Sequence, residues 1–289
     1  MARDILNPNR PFTVLEVEVS DSGVATATVN APPINVMTAK LMFQLSNFAQ
    51  CVRDDPGVRV AVLRSADPDF FIAHFDVQLL LDSRRQGEAE RAETPNQFHQ
   101  MCELFRTSPK PTIVEIAGRV GGGGNELSMA CDMRFGARGR TIINQMEVPL
   151  GILPGGTGTQ QMPRLIGTGR AMEVILGGDD IDAQTAAEWG LLNRALAPEK
   201  LRPYVDRLAN RIASFPPEAV ARAKASILLA GELPLAEGMV EEAYLFEQTM
   251  RLPGSRARME AFLARGGHTR DGEMQMGDLA MNLDPDEPS

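Results

Sequence analysis

Gly121-Gly122-Gly123-Gly124-Asn125-Glu126-Leu127-Ser128-Met129-Ala130-Cys131-Asp132 is a glycine run that opens into a short apolar helix. Residues without a Cβ let the backbone approach a ligand closely. The free N–H groups of the following helix point back into that space, where the helix dipole favours negative charge. Such a place suits a developing anion, while a lone glycine cluster reads first as a flexible or tightly packed turn. No Lys-Ser/Thr follows the glycines, and the spacing is not that of a GxGxxG dinucleotide loop with an acidic residue downstream. Nucleotide hydrolysis and NAD binding are therefore poor matches.

On the N-terminal side of the run, Thr112 to Ile116 reads as a short strand after the break Ser108-Pro109-Lys110-Pro111, and a helix is predicted over about Pro95 to Phe105. The charged run Asp82 to Arg91 reads as a solvated loop or exposed helix face, and Ser65 to Leu81 as irregular. Val58 to Leu63 is a predicted buried strand. Before it, Leu41, Leu45, Phe48 and Val52 fall at helical spacing behind Thr38, a suitable N-cap. Leu15, Val17 and Val19, then Ala25, Ala27 and Val29, alternate with polar residues across Asp21-Ser22-Gly23, which predicts a hairpin with one buried face.

On the C-terminal side, Asp132 to Gly136 is a further strand, and Pro149 to Thr159 is a long Gly/Pro loop. Thr168 and Asp182 are read as caps of helices ending near Gly177 and Gly190. Leu201, Val205, Leu208 and Ile212 stripe another helix. After Phe215-Pro216-Pro217 the chain is predicted helical, and Gly266 to Ser289 reads as a mobile acidic tail. The expected division is therefore 1–215, 216–268 and 269–289.

With 289 residues the chain can bury a sizeable core. A net charge of −9 disfavours nucleic acid or an anionic membrane as a general partner. Cys51, Cys102 and Cys131 are odd in number and widely spaced, so neither a disulfide framework nor a zinc site is indicated. Met1 to Pro8 lacks the apolar run of a signal peptide, and no stretch approaches the roughly 20 apolar residues of a membrane span. The expectation is a soluble cytoplasmic protein.

No GxSxG elbow exists, and His74, His99 and His268 are scattered, which leaves carboxylates as the carriers of chemistry. Glu126 lies in the first turn of an apolar helix. It reads either as a dipole-stabilised surface residue or as a buried acid. Glu147, flanked by Met146, Val148, Pro149 and Leu150, reads either as an ordinary loop glutamate or as a carboxyl whose pKa is raised toward neutrality.

Taken together, four blocks resemble the crotonase superfamily, the enoyl-CoA hydratase/isomerase family. They are Pro33-Ile34-Asn35-Val36-Met37, Phe71 to Val77, Lys110-Pro111 through Glu126 to Asp132, and Glu147 through Pro154-Gly155 to Gly167. The resemblance covers about Phe12 to Ala230. It implies an α/β fold, a spiral of ββα units with a C-terminal helical region that joins subunits into a homotrimer or a dimer of trimers. It further implies that the backbone N–H groups of Phe75 and Gly123 form an oxyanion hole for a thioester carbonyl, and that Glu126 and Glu147 are the catalytic pair.

His74, Asp76, Gly122, Pro154 and Gly155 are the further pocket candidates by the same resemblance. The implied reaction is hydration of a 2-enoyl-CoA to the 3-hydroxyacyl-CoA, with CoA part of the substrate and no metal or other cofactor. Isomerase, thioester hydrolase and decarboxylase activities are alternatives within the family. A non-catalytic CoA- or RNA-binding scaffold is the alternative outside enzyme chemistry. The chain departs from the family pattern at His74, which replaces a usual glycine, and at Gly121 and Asn125. His74 reads either as a packing residue or as a group that meets substrate or water.

Overall fold

The computed structural model describes residues 12–83, 87–281 and 283. Its strands are β1 (Leu15–Val19), β2 (Val24–Val29), β3 (Val60–Ser65), β4 (Thr112–Ile116), β5 (Arg119–Gly121), β6 (Met133–Ala137), β7 (Ile142–Asn144), β8 (Ile181–Asp182) and β9 (Arg194–Leu196). Helices α1 (Ala39–Asp54), α2 (Val77–Asp82), α3 (Gln97–Arg106), α4 (Gly122–Ala130), α5 (Gly158–Ile166), α6 (Thr168–Gly177), α7 (Ala183–Trp189) and α8 (Pro198–Ala213) are interleaved with them. Beyond these lie α9 (Pro217–Leu229), α10 (Leu235–Met250), α11 (Ser255–Ala264), α12 (Arg270–Met274) and α13 (Met276–Leu279).

A six-stranded sheet runs β1-β2-β3-β4-β6-β9, and a three-stranded sheet runs β5-β7-β8. Only the β1–β2 pair of the larger sheet is antiparallel, with Leu15 opposite Val29; the pairs from β2 to β9 are parallel. Consecutive strands feed first the large sheet and then the small one before a helix follows. β4, β5 and α4 make one such ββα unit, and β6, β7 and α5 the next. The α/β class and the ββα rhythm expected from the sequence are both present.

Local chemistry accounts for the elements. Thr38 accepts the Leu41 N–H to cap α1, whose Leu41, Leu45, Phe48 and Val52 are buried. Asp182 caps α7 through the Thr185 N–H, and Gly190 ends it at φ +89°.

Four expectations need correction. Thr168 is the first residue of α6, and the N-cap is Gly167. The strand predicted at Val58 starts at Val60. β2 buries side chains on both faces of the sheet, not on one. The stretch read as irregular up to Leu81 contains α2.

The chain divides into two compact units, Met1–Asn210 and Arg211–Ser289. The first holds both sheets. The second is helical, and on α9 and α10 it exposes Ile227, Leu235, Met239, Val240, Tyr244 and Phe246. Within the stretch read as a tail, α12 and α13 are helical, and Thr269 caps α12 by accepting the Gly272 N–H. Residues 284–289, its acidic end, lie outside the described residues.

Candidate active site

Gly121 closes β5, and Gly122, at φ +46°, turns the chain directly into α4. A Cβ on Gly122 would stand 2.9 Å from Glu147 Oε1 and 3.5 Å from the His74 Cβ, so the turn requires both the left-handed conformation and the missing side chain. Every residue of α4 is buried. Its first N–H groups have no intrahelical acceptor.

Phe75 brings a second N–H to the same place. Its Cβ is 3.2 Å from where a Gly123 Cβ would be, and the Phe98 ring closes in at 3.3 Å. The carbonyl of the peptide that carries the Phe75 N–H belongs to His74 and accepts the Met37 N–H at 2.8 Å. That bond fixes the peptide plane and polarises the N–H. Neither the Phe75 nor the Gly123 N–H meets a backbone acceptor among the described residues. Two backbone donors without a backbone acceptor therefore lie close together beside the start of α4.

Glu126, expected in the first turn, falls in the second turn of α4 because the helix already starts at Gly122, and it reaches the loop before α5. Its Oε1 accepts the Gly156 and Gly158 N–H groups, each at 2.8 Å. A Cβ on Gly156 would be 2.5 Å from Glu126 Oε2 and 2.5 Å from the Phe98 ring, so glycine is needed there for the loop to close on the acid. Burial pushes the Glu126 carboxyl up to about 7, and the nearby Glu147 adds to the rise; the two backbone donors oppose it.

Glu147 precedes the short 3-10 turn Val148–Leu150 and is buried. Its Oε2 accepts Gln145 Nε2 at 3.1 Å. Burial raises its pKa also, against the Gln145 hydrogen bond and the charge of His74. A Cβ on Gly158 would sit 2.9 Å from Glu126 Oε1 and 3.4 Å from Gln145 Nε2, so the supports of the two carboxyls meet at one point.

His74 is half-buried, and its Nδ1 lies 2.8 Å from Phe75 O. Because a carbonyl only accepts, Nδ1 carries the proton and Nε2 is the other functional end. The Asp76 carboxylate accepts the Gln78 N–H and caps α2. Pro154 is buried with its Cβ 2.7 Å from the Gly158 position, while Gly155 is exposed and its carbonyl accepts Asn96 Nδ2 at 3.4 Å. Among the described residues, no three of His, Cys, Asp and Glu cluster as metal ligands would, and no helix is long and apolar enough to cross a membrane.

The enoyl-CoA hydratase/isomerase family profile matches residues 20–269. The chain belongs to the enoyl-CoA hydratase/isomerase family. The crotonyl-CoA hydratase of Syntrophomonas wolfei is 30% identical over 243 residues, which cover 84% of this chain and 92% of that protein. The enoyl-CoA isomerase/hydratase of Mycosarcoma maydis is 33% identical over 222 residues, 77% of this chain and 80% of that one. The crystal structure of the Bacillus anthracis enoyl-CoA hydratase matches with a TM-score of 0.80 at 28% identity, covering 88% of this chain and 97% of that one.

Within this member of the enoyl-CoA hydratase/isomerase family, sequence reasoning overlooked Gln145, Gly156, Gly158 and Met37 as supports of the site. Gln145 carried a local signal. It stands two residues before Glu147, just beyond β7, close enough in the chain to reach it. The loop glycines carried none, because which of them meets Glu126 depends on a chain reversal 30 residues away.

Proposed function

We propose that this protein hydrates a 2-enoyl-CoA thioester to the 3-hydroxyacyl-CoA. The observation that carries this is the pair of buried carboxyls, Glu126 and Glu147, neither in a salt bridge among the described residues, beside two N–H groups without a backbone acceptor. The Phe75 and Gly123 N–H groups hold the thioester oxygen as negative charge grows on it, and the N-terminus of α4 adds its dipole. Glu126 has Oε1 occupied by backbone donors, which leaves Oε2 to orient water toward C3. Glu147 exchanges the proton at C2. Water supplies the hydroxyl to C3 and, through the carboxyls, a hydrogen to C2, so no metal or redox cofactor takes part and CoA enters with the substrate. A carboxyl near 7 serves either direction of transfer at neutral pH.

Purified protein is given crotonyl-CoA, and the conjugated absorbance is followed for the native chain, Glu126→Gln and Glu147→Gln. Each variant is expected to lose about 10²–10⁴-fold in kcat. Unchanged turnover in both overturns the assignment. Double-bond migration from a 3-enoyl-CoA without hydration would favour the isomerase reading.

The apolar side chains on α10, Leu235, Met239, Val240, Tyr244 and Phe246, support a second copy of this chain as partner, in a trimer or a dimer of trimers. A light-scattering mass of one chain would refute it. No disulfide joins Cys51, Cys102 and Cys131, which supports a reducing compartment, the cytoplasm.

A further inference from the structure

Behind the two carboxyls runs a line of buried side chains whose donors all face one way. Ser128 Oγ donates to the Asn125 carbonyl at 2.8 Å and, more weakly, to Asn125 Oδ1 at 3.3 Å. Asn125 Nδ2 donates to Gln145 Oε1 at 2.8 Å, and Gln145 Nε2 donates to Glu147 Oε2 at 3.1 Å. Ser128 and Gln145 are 0% exposed and Asn125 is 1% exposed, so water does not compete for these bonds.

A primary amide has two nearly isosteric ends, and in a closed cavity the groups it faces decide which end goes where. If the Gln145 amide were reversed, Nε2 would meet the Asn125 NH₂ and Oε1 would meet the carboxylate. Both contacts would then be repulsive. Asn125, whose Oδ1 is turned toward the Ser128 hydroxyl, presents only N–H to Gln145. We propose that Asn125 is a positioning residue for the enoyl hydration: its amide latches Gln145 in the one orientation that delivers an N–H to Glu147. The inference rests on the proposed role of Glu147 in proton exchange.

A donor held on Glu147 Oε2 favours the ionised form and works against the rise caused by burial. The other titratable groups facing Glu147 are Glu126 on α4 and His74 in the segment before α2, and neither touches Asn125 through a hydrogen bond. Loss of the latch therefore moves the Glu147 titration upward and leaves these two groups in place.

The test is a double-mutant cycle read by carbon-13 NMR titration of the Glu147 carboxyl in full-length protein, with the resonance assigned through Glu147→Gln. This readout needs no turnover, so it stands even if the native chain fails to hydrate crotonyl-CoA. Gln145→Leu is expected to raise the Glu147 midpoint by about one pH unit, the effect of one hydrogen bond to a charged group. Asn125→Leu is expected to raise it in the native background and to add nothing in the Gln145→Leu background. Asn125→Ala removes the same donor without added bulk and is expected to behave alike. The corresponding limb of the kcat/KM pH profile should shift with the midpoint. A Glu147 midpoint unmoved by both Asn125 variants overturns the proposal, as does an equal shift in the two backgrounds, since Asn125 would then act without Gln145.

Discussion

Glu115 on β4 and Glu126 on α4 are the same residue type at nearly the same burial, 3% and 4% exposed, and their surroundings are opposite. Glu115 Oε1 accepts Arg202 Nη2 at 3.1 Å, and its Oε2 lies 3.6 Å from Arg64, which also pairs with Asp206 at 2.5 Å. No salt bridge among the described residues reaches Glu126, which has only the N–H groups of Gly156 and Gly158. Placed beside two guanidinium groups, Glu115 is suited to fix β4 against α8. A carboxyl buried without a cation gains a proton readily. Burial alone thus does not mark a chemical group; what decides is where the cations are.

The comparison can be broken at Glu115. Glu115→Gln leaves Arg64 and Arg202 facing a neutral amide, and removing one member of a buried ion pair is strongly destabilising. Asp206 still pairs with Arg64, so the loss should fall at the low end, about 3 kcal/mol in denaturant unfolding. Crotonyl-CoA turnover per folded molecule should not change. If turnover instead fell as far as in Glu126→Gln, Glu115 would belong to the chemistry and the contrast would fail.

The parts of this molecule legible in the sequence are those whose cause is local. Thr38 and Leu41 specify the start of α1, and Asp182 and Gly190 bracket α7, because caps act over three or four residues. α2 was missed. It has six residues and no buried side chain, so no apolar period announces it, and only Asp76 signals its start. Glu126 and Glu147 are singled out in the sequence only through the order of motif blocks, since neither residue by itself separates an acid–base group from a surface glutamate. The ion pairs of Glu115 were illegible for the opposite reason. Arg202 stands 87 residues away, and hydrophobic periodicity says nothing about which cation will cover a given strand.

The comparison is sharpened by the cost of keeping Glu126 ready. Its carboxyl titrates at about 7 in the folded protein against an ordinary value of 4.5. Between those two values the native state binds more protons than the unfolded chain, so stability falls as pH rises through this window and the full cost is present above 7. An amide imitates the protonated acid: the Gln oxygen can keep the Gly156 and Gly158 donors, and the NH₂ stands where the acid carries its hydroxyl. Glu126→Gln should therefore match the native protein near pH 5 and exceed it at pH 8 by on the order of 2–3 kcal/mol, measured by denaturant unfolding at the two pH values. A stability difference independent of pH would mean that Glu126 is ionised throughout. Its burial could then not be the source of its proton affinity.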